Sequence, residues 1–130
     1  MDNAPKVLAV DDEAEILELI QETLEVQGIV CLTAPDGKAA LKMLELHPSI
    51  QLVISDINMP VLSGIDFREK ASQLFEGRNL TWIALTTPGP NDYEGAGIPG
   101  FDATFYKPYS FSALARLVRS QLGATNDVVF

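Results

Sequence analysis

A chain of 130 residues, 47% hydrophobic and 21% charged, has the composition of one globular domain with its own core and not of a disordered segment. A formal net charge of −9 argues against direct nucleic-acid binding, which needs a basic patch, and suits a carboxylate cluster that holds a cation. No apolar run approaches the roughly 20 residues of a membrane span. The first six residues lack the basic, apolar, small-residue order of a signal peptide. Cys31 is the single cysteine, sits in an apolar run and reads as an inert core residue, so the expected compartment is cytoplasmic.

The run Lys6 to Val10 is a first strand, stopped by Asp11, Asp12 and Glu13. Residues 14–27 follow as a helix with Ile16, Leu17, Ile20, Thr23 and Leu24 on one stripe, and Gly28 ends it. Residues 29–33 form a second strand. Asp36-Gly37 is a turn signal, but a helix over 38–46 follows it, so no hairpin is expected; Ala40, Leu41 and Leu44 face inward and Pro48 closes the helix. Leu52, Val53 and Ile54 are a continuous apolar run, the pattern of a strand covered on both faces, and it leads directly into Asp56. Asn58, Met59 and Pro60 break that strand. A third helix spans 64–76 with Phe67, Ala71, Leu74 and Phe75 inside. Residues 81–85 form a fourth strand that stops at Thr86-Thr87-Pro88.

The stretch 88–100 holds Pro88, Gly89, Pro90, Gly95, Gly97, Pro99 and Gly100. Gly costs about 1 kcal/mol and Pro about 3 kcal/mol inside a helix, so at most one or two turns around 91–96 can form there. Residues 103–106 form the fifth strand, stopped by Lys107-Pro108. Ser110 N-caps a last helix whose inward residues are Phe111, Leu114, Leu117, Val118 and Leu122. Gly123 ends that helix. The domain is therefore expected over 1–123, with 124–130 as a tail or linker stub. Strands alternating with helices imply an α/β fold with a parallel sheet and right-handed crossovers. The short connections suit a flavodoxin-like (βα)5 doubly wound domain, strand order 2-1-3-4-5, with a shortened fourth helix.

Four strands stop on polar residues: Asp11-Asp12, Asp56, Thr86 and Lys107. Parallel strands bring these stops to one edge, and the order 2-1-3-4-5 sets strands one and three side by side at the switch point where ligands bind. Three carboxylates in a small volume cannot all stay ionised without a cation. Mg²⁺ suits two or three carboxylate or carbonyl oxygens plus retained waters. A metal, a lysine, a hydroxyl and a nucleophilic carboxylate together make a phosphoryl-transfer site, and Asp is a known covalent acceptor. Blander readings remain beside this one. Asp56 could cap the next turn, and Asp12 with Glu15 could cap the first helix. Thr86 could be an ordinary strand residue and Lys107 a solvated charge. His47, without a Cys or His partner, reads as a surface residue.

The pieces Val10-Asp-Asp-Glu13, Ser55-Asp-Ile-Asn-Met-Pro60 with Gly64, Leu85-Thr86 and Tyr106-Lys-Pro108 resemble, in order and place, the receiver domain of bacterial two-component response regulators. The resemblance implies a signalling domain rather than an enzyme. It would take a phosphoryl group from a histidine kinase or histidine phosphotransfer protein onto Asp56, with Mg²⁺, and switch contacts with a downstream effector or output domain. By the same resemblance, Asp12 and Asp56 ligate Mg²⁺ by side chain, Asp11 through water and Asn58 by its backbone carbonyl. Thr86 bonds a phosphoryl oxygen, Lys107 pairs with another, and the Lys107-Pro108 bond is cis.

Three features depart from that pattern. Thr87 stands where the family has a small residue. Thr104 stands where an aromatic switch residue is common, with Phe105 facing the other way and Tyr106 two residues nearer the site. The stretch 88–100 replaces the fourth helix. These departures support a second expectation, a receiver-like interaction domain not controlled by phosphorylation. A flavodoxin-like enzyme or flavin binder ranks last, because Asp11-Asp12-Glu13 replaces a phosphate-cradling glycine loop.

Overall fold

The computed structural model describes residues 4–59, 61–86, 98, 100–106 and 110–123. Its elements run β1 (Val7–Val10), α1 (Ala14–Val26), β2 (Cys31–Ala34), α2 (Gly37–Leu46), β3 (Leu52–Asp56), α3 (Gly64–Leu74), β4 (Thr81–Thr86), β5 (Ala103–Tyr106) and α4 (Phe111–Gly123). All strand pairs are parallel, in the order β2-β1-β3-β4-β5, as the alternating pattern predicts. The stretch expected to hold the shortened fourth helix lies outside the described residues, apart from Ile98 and Gly100. So do Lys107, Pro108 and the tail 124–130.

Each strand of the sheet's middle is buried on both faces, because successive side chains leave on opposite sides and helices cover each side. Val7, Ala9, Leu52, Ile54, Ile83 and Leu85 meet Leu17, Ile20 and Leu24 of α1 and Leu114 and Val118 of α4. Leu8, Val10, Val53 and Trp82 meet Ala40 and Leu44 of α2 and Phe67 and Ala71 of α3. Trp82 lies edge-on to both Phe67 and Phe101, with ring centroids 5.3 and 5.8 Å apart. The Arg68 guanidinium sits 5.6 Å from the Trp82 ring centre, and its Nε donates to the Gly100 carbonyl at 2.5 Å. One β4 residue thus ties α3 to the turn that enters β5.

Helix starts follow the local signals. Asp36 accepts from the Ala39 amide (2.8 Å), Ser63 from Asp66 (3.1 Å) and Ser110 from Ala113 (3.1 Å). Gly28, after α1, has φ +81°, a conformation open to glycine at no steric cost. Two boundaries and one buried position differ from the sequence reading. The second strand starts at Cys31 and not Ile29, because the Ile29 amide returns to the Leu24 carbonyl (3.0 Å) to finish α1. The third helix stops at Leu74 and not Glu76, because Phe75 leaves the helical region and Gly77 turns the chain. Thr23, expected on the inner stripe, is half-buried and donates its hydroxyl to the Leu19 carbonyl (2.7 Å).

Cys31 is buried, as expected. Burial first, and the Glu25 charge second, push its thiol up to about 12. A thiol so protonated is no nucleophile at neutral pH.

Candidate functional site

The site begins with two neighbouring strand ends. β1 and β3 pair with Val10 opposite Ser55, so the residues that follow each apolar run emerge together. Asp11 is fully buried, Asp56 is nearly so, and Asp12 is exposed. One carboxylate oxygen from each of the three lies within 4.8 Å of the others. The sequence-predicted cluster therefore forms, with two members in the protein and one at its mouth. Hard oxygen donors at this spacing fit a small divalent cation, and the exposed Asp12 leaves a side open to its retained waters.

The backbone around the cluster is tied down. Asp11 Oδ1 accepts from the Glu13 amide at 2.9 Å, and the Asp11 amide donates to the Ala34 carbonyl at 3.2 Å. The N-cap position of α1 is Glu13, without a side-chain cap bond, so Asp12 is not the helix cap that its spacing to Glu15 allows. Asp56 Oδ1 accepts a long 3.4 Å bond from the amide of Asn58, itself exposed. That contact is a turn bond of the kind Asp makes, but it does not explain why the carboxylate is buried beside two others. The Ile57 amide donates to the Leu85 carbonyl (3.1 Å), and the Gly64 amide to the Ile57 carbonyl (2.9 Å). A Cβ on Gly64 would overlap the Asp56 carbonyl oxygen and stand 2.9 Å from the Ile57 Cα, so only glycine lets α3 start this close to the site.

Thr86 ends β4, one strand over from Asp56, and is buried. It lies opposite the half-buried Tyr106 in the β4–β5 register. Phe105 packs on the α1–α4 side, opposite to Thr104, as strand alternation requires. The Thr104 hydroxyl accepts from the Ile98 amide at 3.2 Å. This bond anchors the chain entering β5, a structural use of the position that no periodicity announces. Thr87 and Lys107 lie outside the described residues.

The loop after Asp56 contains one backbone feature the sequence does not signal. Val61 has φ +71° and is 91% exposed. A β-branched residue in the left-handed region costs about 1–2 kcal/mol, and this one recovers nothing by burial. Val61→Gly is expected to raise the unfolding free energy by about 0.5–1 kcal/mol, since the relieved strain exceeds the added chain entropy of glycine. Urea denaturation checks this, and a loss of stability would show that the valine is not strained.

Comparison with known proteins shows the family. The family model of the response regulator receiver domain matches residues 7–119. An uncharacterized 14.6 kDa protein of Leptolyngbya boryana is 33% identical over 114 residues, 87% of this chain and 86% of that one. The transcriptional regulatory protein CpxR of Escherichia coli K12 is 33% identical over 118 residues, 90% of this chain and 49% of that protein. This chain thus spans about half the length of the transcriptional regulators it matches. Among solved structures, the receiver domain of the Francisella response regulator 1452 superposes with a TM-score of 0.80 at 28% identity, covering 94% of this chain and 99% of that one. The chain belongs to the response regulator receiver family, the signalling domains of two-component systems. No helix among the described residues is long and apolar enough to cross a membrane.

Proposed function

We propose that this domain is an Mg²⁺-dependent phosphoacceptor, taking a phosphoryl group from the phosphohistidine of a histidine kinase or histidine phosphotransfer protein onto Asp56. The observation that carries the reading is the trio Asp11, Asp12 and Asp56, gathered at adjacent strand ends with ligand oxygens within 4.8 Å. A carboxylate oxygen of Asp56 attacks phosphorus, the phosphorus–nitrogen bond of the donor breaks, and the imidazole leaves with the electron pair and takes up a proton. Asp12 and Asp56, with Asp11 through water and the Asn58 carbonyl, would hold Mg²⁺, which supplies neutralisation of phosphoryl oxygens. Burial keeps Asp56 fixed and short of competing water. The Thr86 hydroxyl is suited to donate to one phosphoryl oxygen, and Lys107 to pair with another. The domain then presents a changed surface to an effector or an output domain.

The test is incubation with Mg²⁺ and acetyl phosphate, read by intact mass. One phosphate is expected on the wild type, none in EDTA, and Asp12→Asn is expected to weaken Mg²⁺ binding by about tenfold or more. Equal Mg²⁺ affinity in wild type and Asp12→Asn would remove the metal assignment. An absence of phosphate addition in Mg²⁺ would leave a receiver-shaped interaction domain, the reading that the hydrogen-bonded Thr104 favours.

A further inference from the structure

Two apolar residues that the sequence pattern assigns to the core are not consumed by it. Leu74 of α3 is 65% exposed, and Leu41 of α2 is only partly buried. With Phe75 they line a groove of about 350 Å³ between the two helices, open to solvent, with room for a few aliphatic side chains. Lys38 and Lys42, at i and i+4 on α2, form one wall, and Glu45 is the only carboxylate in the lining. Lys70 lies one turn before Leu74 on α3 and is exposed. Neither Lys38 nor Lys42 makes an ion pair among the described residues. The chain has 18 acidic and 9 basic residues, yet two of the six residues lining this apolar opening are lysines. Helix α1 is the contrast, carrying Glu15, Glu18, Glu22 and Glu25 and no basic residue.

We propose that the α2–α3 groove docks an amphipathic helix of a partner protein whose apolar stripe is flanked by carboxylates. Helices laid in apolar grooves are held by side chains at i, i+3, i+4 and i+7, and the flanking charges set orientation and partner choice. Leu41, Leu74 and Phe75 supply the apolar floor, and Lys38 and Lys42 the complementary rim. The surface is separate from the Asp56 cluster, so the inference stands whether or not Asp56 is an acceptor.

The probe is a labelled helical peptide of roughly 15 residues, built of Ala and Glu with leucines at i, i+3, i+4 and i+7. It is titrated against the full chain by fluorescence anisotropy. Saturable binding is expected, with amide shifts confined to α2 and α3. The double variant Lys38→Glu/Lys42→Glu should weaken it about tenfold or more, since attraction is replaced by repulsion at two positions. Leu74→Ser should weaken it comparably while leaving the circular dichroism spectrum unchanged, and a peptide with Lys in place of Glu should not bind. No binding, or equal affinity for wild type and both variants, overturns the proposal. So does wild-type self-association that Leu74→Ser removes, or binding only to phosphatidylserine-containing vesicles.

Discussion

Asp56→Asn is expected to accept no phosphate from acetyl phosphate in Mg²⁺, and to be more stable than the wild type when Mg²⁺ is withheld. The first result follows from chemistry. A carboxamide offers neither the charge nor the nucleophilic oxygen that forms an acyl phosphate. The second follows from crowding. Asp11 and Asp56 are both buried, with oxygens within 4.8 Å, and at an effective dielectric near 20 two unit charges that far apart repel by about 3.5 kcal/mol. Each carboxylate also has a further partner that offsets part of this, so a gain of about 1 kcal/mol is expected in EDTA. Added Mg²⁺ stabilises the wild type by binding the folded state and should close the gap. Intact mass reads the first effect and urea denaturation with and without Mg²⁺ the second. Phosphate that persists in the variant would place the acceptor elsewhere. Equal stabilities in EDTA would mean that the repulsion is already relieved by the other partners of these carboxylates.

Arg78→Ala is expected to cost about 2–4 kcal/mol of stability, more than other exposed or half-buried substitutions in the domain. Arg78 follows α3, yet its guanidinium closes the end of α2. Nη1 donates to the Leu44 carbonyl at 2.6 Å, and Nη2 to the carbonyls of His47 (2.8 Å) and Ile50 (3.2 Å). The last carbonyls of a helix lack partners within it and carry partial negative charge, so a cation serves them twice. Phe75 packs beneath the guanidinium, 5.6 Å from ring centre to Cζ. Burial lowers the Arg78 pKa, but an arginine remains charged at neutral pH. Arg78→Lys should recover less than half of the loss, since an ammonium cannot reach three carbonyls as a planar fork does. These contacts lie where the chain enters β3 and β4, at the end of the sheet away from Asp56. Phosphate addition by the folded protein should therefore be unchanged. A loss below about 0.5 kcal/mol would mean that water replaces the guanidinium at these carbonyls.

The amino-acid sequence by itself determined the order of elements, the polar stops at the strand ends and the cap at Ser110. Each is a local matter. Periodicity reports which face of a segment is apolar, and a cap reaches only three residues along the chain. The cluster was legible for the same reason. Strand ends are visible as places where an apolar run stops, and the parallel architecture sends them to one edge. Tertiary structure alone decided how those stops meet. Pairing of β1 with β3 brings Asp11 and Asp12 to Asp56 and sorts them into buried and exposed members, though adjacent residues look alike in sequence. It also turned Arg78 inward to another helix, gave the Thr104 hydroxyl an amide to hold, and left Leu74 outside a core its spacing would have it join. Those outcomes depend on which surfaces lie opposite one another after folding. Such adjacency is a property of segments far apart along the chain, and the period of any one of them does not contain it.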